Sequence, residues 1–156
     1  SKSLSKISDN CRFMIVGKGS NREIEKIVNL IDKLNMKDKI TISSPKTSLT
    51  DYYNGIDIIT STSYDEGSSN VLLEALACNT HCVATKVGDS ELIIDDDEFL
   101  FMPGQNDELC NCWIKKIKFI KNNKIENTRN RIAQNFSIEN LVSRHEKIFS
   151  KLINSE

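Results

Sequence analysis

Short apolar runs that alternate with helical patterns most constrain how this chain can fold. The runs cover residues 12–17, 39–43, 57–63, 81–87 and 99–102, and each has the length of one strand. Helical spacing of apolar residues occupies 21–36, 48–56, 70–78 and 90–94, and three more helices are predicted at 106–122, 124–135 and 137–154. Because such alternation favours parallel strands beneath helices, we predict an α/β fold with a Rossmann-like, doubly wound parallel sheet whose first strand is buried.

Length and composition indicate one ordinary globular domain. The chain has 156 residues, of which 38% are hydrophobic, and a net charge of −1. We predict a tail or truncated domain edge at 1–10, the Rossmann-like domain at 11–122, and helices that pack on it at 123–156. No apolar run approaches the roughly 20 residues of a membrane span, and the polar N-terminus lacks a signal-peptide core. We therefore expect a cytoplasmic protein.

The cysteines indicate reduced thiols. Their number is odd and no C-x-x-C pair occurs, which argues against a disulfide framework and a zinc site. The five positions are Cys11, Cys78, Cys82, Cys110 and Cys112.

Charge is unevenly distributed along the chain. Residues 115–151 carry ten Lys or Arg against three Asp or Glu, so the remainder is acidic. Two interpretations stay open: a solvated face of surface helices, or attraction to anionic lipid or phosphate. Trp113 and Phe119 are expected to be core residues and not a platform for stacking bases, so no nucleic-acid partner is expected.

Small polar residues follow the predicted strands, at the sheet edge where ligands of such folds bind. They are Gly17 and Gly19 after the first strand, Ser43 and Ser44 after the second, 64–69 after the third and 88–90 after the fourth. The stretch GKGSNRE is not a complete G-x-G-x-x-G fingerprint, because Arg22 replaces its last glycine, and no G-x-x-x-x-G-K-[ST] loop exists. A phosphate site must therefore be built differently.

The stretch EGSSNVLLEALA offers such a site and raises a question about its second glutamate. Gly67, Ser68 and Ser69 can present free amides at the start of the 70–78 helix to a diphosphate. Glu74 is the lone carboxylate of an otherwise apolar segment, so it needs a partner. One interpretation places it in the first turn of a helix capped by Ser69 or Asn70. The other assigns it to a ribose diol, with Glu66 on sugar hydroxyls.

The same stretch carries a family resemblance. With Glu66 and Glu74 at an E-x7-E spacing, it resembles the signature of retaining GT-B glycosyltransferases of the large family-four, "group 1" class. FMIVGKG, KITIS, DYYNGIDIITSTSYDEG, CVATKVGDSELI and FLFMPGQNDEL are similar, in the same order, to its donor-binding C-terminal domain. The resemblance covers about residues 11–112 and identifies 11–122 as a nucleotide-sugar-binding domain.

The resemblance implies a function and a site. The implied activity is retaining transfer of a sugar from a nucleoside diphosphate to a glycan or lipid-linked acceptor, without a metal or other cofactor. Glu74 would bind ribose hydroxyls, and Glu66 the donor sugar near the reacting carbon. The remaining binding residues follow in sequence order: Gly17 and Gly19 beside the nucleotide, Ser43 and Ser44 at the base, and Gly67, Ser68, Ser69, Asn70 and Val71 at the sugar and diphosphate.

Three departures from the family pattern qualify that expectation. The strand and helix that carry a diphosphate-clamping Arg and Lys have no match here, and neither does the acceptor-binding N-terminal domain. We therefore expect this chain alone to be inactive in transfer. The usual Gly-x-Pro after the signature helix is Asn79-Thr80-His81, and the double glycine is Gly88-Asp89.

Three other functions compete with sugar transfer. A sugar-nucleotide epimerase shares the two-domain fold and needs no acceptor, but the E-x7-E turn argues against it. A non-catalytic nucleotide-binding or receiver module would use Asp57 or Asp65, yet GKG and PGQ lack a receiver's acidic pair and lysine. A degenerate scaffold of the same fold that has lost its activity also stays open as an interpretation. Because related enzymes work at the inner membrane face, the basic helices also suggest peripheral association with an anionic membrane.

Overall fold

The computed structural model describes residues 11–44, 48–122 and 127–154. The chain forms two compact units, residues 1–51 and 52–156, which we call unit 1 and unit 2. Strand pairing is parallel within each unit. The predicted α/β class with a Rossmann-like parallel sheet is confirmed, whereas the predicted segment 1–10 lies outside the described residues.

Unit 1 contains one βαβ arrangement, as the apolar runs predict. Strand β1 (Phe13–Val16) pairs with β2 (Ile40–Ser43), and helix α1 (Asn21–Lys33) connects them. The pairing continues past the strands, because the Gly17 amide donates to the Ser43 carbonyl at 3.1 Å. The loops after β1 and β2 therefore begin side by side.

The prediction that the first strand is buried was wrong. Met14, Ile15 and Val16 are 38–48% exposed. Burial of a strand requires covered faces and neighbours on both edges, and within the described part of unit 1 β1 pairs with β2 alone. A continuous apolar run is therefore compatible with an exposed strand here.

Unit 2 holds the larger sheet, with strands in the order β3-β4-β5. Helix α2 (Thr50–Gly55), most of which belongs to this unit, precedes β3 (Ile58–Ser61). The signature helix α3 (Asn70–Ala77) then leads to β4 (His81–Thr85). Helix α4 (Ser90–Ile94) and a short 3-10 turn at Asp97–Phe99 lead to β5 (Leu100–Phe101). The remaining helices are α5 (Asn106–Lys121), α6 (Thr128–Phe136) and α7 (Ile138–Ile153).

Strand β4 is the centre of the core. Its residues Cys82, Val83, Ala84 and Thr85 are at most 2% exposed, and because successive side chains point to opposite faces, both faces are covered. Helices α3 and α4 both pack against β4 and contact each other, as right-handed crossovers between consecutive parallel strands predict. Helix α5 packs against β4 and β5, and its Trp113 Nε1 donates to Thr60 Oγ1 of β3 at 2.9 Å.

Helix α6 is joined by hydrogen bonds to the C-terminal ends of α3 and α4. Thr128 Oγ1 donates to the Leu76 carbonyl at 2.8 Å, and the Arg129 amide donates to Asn79 Oδ1 at 3.0 Å. Arg131 donates to the Ile93 carbonyl at the end of α4. Asn79, which replaces the family's glycine, thus keeps the left-handed backbone (φ 59°) and caps α6 as well.

Lys116 is an exception to the interpretation of the basic helices as a solvated face. It is 2% exposed, and its Nζ lies 3.2 Å from the centre of the Phe99 ring. Lys115, Lys118 and Lys121 on the same helix are exposed. All five cysteines are free thiols and three of them are buried, in agreement with the sequence. Among the described residues, no helix is long and apolar enough to cross a membrane.

Candidate functional site

Two loops at the carboxyl edge of the unit 2 sheet are held together through their backbones. The Asp89 amide, after β4, donates to the Gly67 carbonyl, after β3, at 3.0 Å. Gly88 makes this approach possible: its φ is +51°, and a Cβ there would lie 2.1 Å from the Glu66 carbonyl oxygen. Only glycine fits at this position, so the Glu66–Gly67 turn depends on it.

Glu66 is held by a serine of the same loop. Ser63 Oγ donates to Glu66 Oε1 at 2.6 Å, and Thr85 Oγ1 of β4 donates to the Ser63 carbonyl at 2.7 Å. Both Ser63 and Glu66 are partly exposed. The carboxylate is therefore anchored through Ser63 to the buried end of β4, while its side chain remains open to a ligand.

The start of α3 is open in a way that suits an anion. Ser69 is the N-cap residue, but its side chain makes no capping hydrogen bond, and the first turn has no acidic residue. The first amides of a helix have no intrahelical acceptor. Gly67, Ser68, Asn70 and Val71 around this helix start are exposed. Free amides and the helix dipole together favour a phosphate here.

Glu74 lies in the second turn of α3, so the interpretation that makes it a first-turn helix charge was wrong. The helix is not uniformly buried either: Leu72, Ala75 and Leu76 face the core, whereas Glu74 and Val71 are exposed. Glu74 Oε2 accepts a hydrogen bond from Tyr53 Oη at 2.8 Å. The partner that the lone carboxylate requires is therefore a phenol from α2.

The residues predicted in unit 1 surround the loops after β1 and β2. Gly17 and Ser43 are joined by the ladder hydrogen bond, and Ser43 Oγ donates to the Ser44 carbonyl at 3.2 Å. Gly19 precedes the N-cap Ser20, whose amide and hydroxyl both donate to Glu23 Oε2 at 2.8 Å. These hydrogen bonds hold the pKa of Glu23 below its usual range. The N-terminus of α1 is therefore already closed by a carboxylate.

The eleven predicted site residues fall into two groups. Gly17, Gly19, Ser43 and Ser44 lie in unit 1, and the structure brings them together at the end of its two strands. The other seven lie in unit 2, on the loop after β3 and on α3: Glu66, Gly67, Ser68, Ser69, Asn70, Val71 and Glu74.

Sequence reasoning missed Tyr53, Ser63 and the structural demand on Gly88. Tyr53 lies 21 residues before its carboxylate partner, so no local pattern joins them. Ser63 could have been noticed, because it stands three residues before Glu66, a spacing that allows a local side-chain contact. Gly88 was recognised only as part of a polar turn.

Within the described part of the chain, neither histidine belongs to a metal site. Among the described residues, no group of three His, Cys, Asp or Glu side chains could hold a metal ion. His81 begins β4, with its ring 5.9 Å from that of Phe119 in an edge-on contact. His145 Nδ1 lies 2.9 Å from the Leu141 carbonyl of α7.

Parallel strands, an open helix N-terminus and polar loops at the carboxyl edge are features of nucleotide-binding α/β proteins. Sequence comparison gives the family: the chain belongs to the glycosyl transferases group 1, whose family profile matches residues 2–118. It is 24% identical over 151 residues to the N-acetyl-alpha-D-glucosaminyl L-malate synthase of Bacillus anthracis, covering 94% of this chain and 39% of that protein. An uncharacterized glycosyltransferase of Methanocaldococcus jannaschii is 33% identical over 105 residues, which are 63% of this chain and 26% of that one.

Solved structures share the fold. HepE of Anabaena, crystallised in complex with UDP, superposes with a TM-score of 0.80 at 18% identity, covering 96% of this chain and 43% of that one. A glycosyltransferase from Rickettsia africae gives a TM-score of 0.83 at 21% identity, covering 99% and 44%. The predicted GT-B fold is thereby confirmed. The chain spans about two fifths of the length of the synthase and of these two structures.

Proposed function

We propose that this chain is the donor-binding part of a retaining glycosyltransferase that uses a nucleoside-diphosphate sugar. The observation that carries the proposal is the open N-terminus of α3, flanked by Glu66 and followed one turn later by Glu74. Family membership supports transferase chemistry, and structures of Anabaena HepE contain UDP and UDP-glucose.

The diphosphate would bind at the start of α3. The amides of Ser69, Asn70 and Val71 would donate to its oxygens, as would the neighbouring backbone of Gly67 and Ser68, and the helix dipole would favour the charge. In transfer, this charge grows on the departing nucleoside diphosphate. Preorganised amides stabilise such developing charge without reorganisation, so the same contacts that bind the donor would promote its cleavage.

The two carboxylates would position the donor. Glu74, with one oxygen on Tyr53, would accept hydrogen bonds from the ribose diol. Glu66, with Oε1 on Ser63, would contact sugar hydroxyls close to the reacting carbon. Retaining transfer on the face from which the leaving group departs demands close control of geometry, so positioning is the main contribution of these side chains. In unit 1, Gly17 and Gly19 would border the nucleotide, and Ser43 and Ser44 would lie at the base.

The acceptor would be a glycan or a lipid-linked saccharide, as in polysaccharide biosynthesis, and its recognition would come from outside this chain. The support is the share of the relatives that the chain covers: 39% of the synthase and 43% of HepE. We expect this chain by itself to bind donor nucleotide without transferring sugar.

Calorimetric titration with UDP, GDP and ADP tests the proposal. We expect saturable binding of one nucleotide, and binding weaker by about tenfold or more in Glu74→Ala. Glu66→Ala should retain the bare nucleotide and weaken only the intact nucleotide sugar. Equal loss of both ligands in both variants would contradict the two roles, and absence of any saturation in a protein of the relatives' full length would contradict the function.

We propose that the diphosphate binds without a metal ion, its oxygens accepting hydrogen bonds from the amides at the start of α3 and its charge favoured by the helix dipole. We therefore expect nucleotide affinity in the titration to be the same with EDTA as with added Mg²⁺. A tenfold or larger loss of affinity in EDTA would overturn this part of the proposal.

Peripheral association with an anionic membrane, at the cytoplasmic face, is a separate proposal. It rests on the exposed lysines of α5: Lys115, Lys118 and Lys121. Each cation near such a surface contributes about 1 kcal/mol. The triple variant with glutamine at these positions should lose co-sedimentation with phosphatidylglycerol vesicles, and undiminished binding would refute the proposal. Lys116 is left intact because it is buried against Phe99.

A further inference from the structure

Tyr53 is the one group of the described residues seen to hold Glu74. Its hydroxyl donates to Glu74 Oε2 at 2.8 Å, and the described part of the chain shows no hydrogen bond to Oε1. The tyrosine is 6% exposed, whereas Glu74 lies on the exposed side of α3. One carboxylate oxygen is thus held from the protein interior, and the other remains available to a ligand.

The tyrosine is itself fixed at its backbone. Thr80 Oγ1, in the turn between α3 and β4, donates to the Tyr53 carbonyl at 2.7 Å, and Thr80 is buried. The turn that ends the signature helix therefore anchors the residue that holds Glu74. Tyr53 is attached at both ends, so its hydroxyl can define where the carboxylate lies.

The proton of this hydrogen bond belongs to the phenol. Burial, followed by the hydrogen bond and charge of Glu74, raises the pKa of Tyr53 well above its usual range. At neutral pH the phenol therefore keeps its proton and donates it in the hydrogen bond to the carboxylate. A charge-assisted hydrogen bond of this kind is strong enough to select one position of a surface carboxylate.

We propose that Tyr53 is a positioning residue for donor binding: it fixes Glu74 so that the free oxygen Oε1 meets the ribose diol without loss of side-chain freedom on binding. Preorganisation of this kind raises affinity by reducing the entropy cost of ordering the side chain. The inference rests on the proposed function, in which Glu74 binds ribose. It adds Tyr53, which lies 21 positions before Glu74 in the sequence and acts only through that carboxylate.

The test measures affinity with and without the ribose hydroxyls. UDP and 2′,3′-dideoxy-UDP are titrated into this chain and into its Tyr53→Phe variant, and the GDP and ADP pairs are used if UDP does not bind. We expect Tyr53→Phe to weaken the ribonucleotide about 3- to 10-fold and the dideoxynucleotide by less than 2-fold. Tyr52→Phe, which removes a hydroxyl from the same helix, is the matched control and should change neither affinity.

The outcomes separate this inference from the proposed function. Equal weakening of both nucleotides, or no weakening, would show that Tyr53 is merely structural and overturn the inference. In the Glu74→Ala background, Tyr53→Phe should have no further effect; an additive loss would also overturn it. If Glu74→Ala itself leaves ribonucleotide affinity unchanged, the proposed role of Glu74 fails first.

A second variant covers the case in which Tyr53→Phe does not fold. Thr80→Val removes the hydroxyl that holds the Tyr53 carbonyl and leaves the phenol in place. It should reproduce a smaller, ribose-dependent loss of affinity in the same titrations. A folded Thr80→Val protein with unchanged affinity for both nucleotides would count against the inference.

Discussion

Helices α1 and α3 both begin after a strand and a loop that ends in glycine and serine, yet their first turns differ. At α1, Ser20 and Glu23 form a complete capping box, so a carboxylate occupies the place where a phosphate would lie. At α3, Ser69 makes no capping hydrogen bond and the first turn is uncharged. The discriminating position is the third helical residue, which is Glu23 in one helix and Leu72 in the other.

The comparison shows that a glycine-serine loop before a helix does not by itself make an anion site. What matters is whether the helix satisfies its own first amides. In α1 it does, and the carboxylate would repel a diphosphate. In α3 it does not, and the two glutamates of this segment, Glu66 and Glu74, lie before the helix and in its second turn, where the uncharged hydroxyls of the proposed donor would meet them.

The largest effect is expected from Gly88→Ala. The left-handed backbone and a Cβ 2.1 Å from the Glu66 carbonyl oxygen should cost about 2–4 kcal/mol of unfolding free energy. The Glu66–Gly67 turn should shift, so nucleotide affinity should fall as well. Chemical denaturation and titration measure the two effects.

Gly17→Ala is the matched control in the loop before α1. A Cβ there meets nothing within 4 Å, so the free energy of unfolding should change by about 0.5 kcal/mol or less. Equal destabilisation by the two substitutions would show that the loop before α3 is no more constrained than the loop before α1.

The next effect distinguishes Glu74, in the second turn of α3, from Glu23, in the first turn of α1. Glu74→Ala should lower nucleotide affinity by about tenfold or more, equivalent to ~1.4 kcal/mol, because it removes a charged hydrogen-bond acceptor. Glu23→Ala should leave affinity unchanged, since that carboxylate closes its own helix. Titration of both variants with the same nucleotide gives the result, and loss of affinity in Glu23→Ala would contradict the assignment.

A smaller effect separates the two N-cap serines. Ser20→Ala removes a working cap and should cost about 1 kcal/mol of unfolding free energy. Ser69→Ala removes a side chain with no capping hydrogen bond and should cost roughly 0.5 kcal/mol or less. Denaturant unfolding of the two variants measures the difference, and a larger cost at Ser69 would mean that α3 is not open as described.

The smallest effect is a pH dependence confined to α1. Because hydrogen bonds from Ser20 lower the pKa of Glu23 from its ordinary 4.5, the capping box stabilises the fold above that pH. This stabilisation is lost as the pH falls through the lowered pKa of the folded state. The stability difference between the natural chain and Glu23→Gln should therefore shrink on acidification; denaturation at several pH values tests it, and a growing difference would refute it.

Much of the fold follows from the sequence because its signals are local. The signature helix was predicted at 70–78 and is Asn70–Ala77; the strand after it was predicted at 81–87 and is His81–Thr85. Apolar periodicity and turn residues define such elements within a few positions. The predicted burial of β1 failed because burial depends on what covers a strand, and the run of apolar letters does not contain that information.

The residues of the candidate site also fall into those that a local sequence pattern identifies and those that it does not. The E-x7-E spacing identified Glu66 and Glu74 and the loop between them, since all these residues lie on one turn and one helix. The partners of the two carboxylates are of different kinds: Ser63 is three residues from Glu66, whereas Tyr53 reaches Glu74 from another helix. Lys116, like Tyr53, was not recognised from the sequence. It lies among other lysines, and no local pattern indicates that its side chain is buried against Phe99.

The sequence by itself determined the alternation of strands and helices and the positions of the two glutamates, because each is a local pattern, and it determined the family, because several such patterns follow one another in a fixed order along the chain. Tertiary structure alone decided that Tyr53 holds Glu74, that Gly88 must be glycine beneath the Glu66 carbonyl, and that the start of α3 lies exposed. The physical reason is that hydrogen bonds and steric contacts join atoms by distance in space, which the order of residues along a chain does not specify.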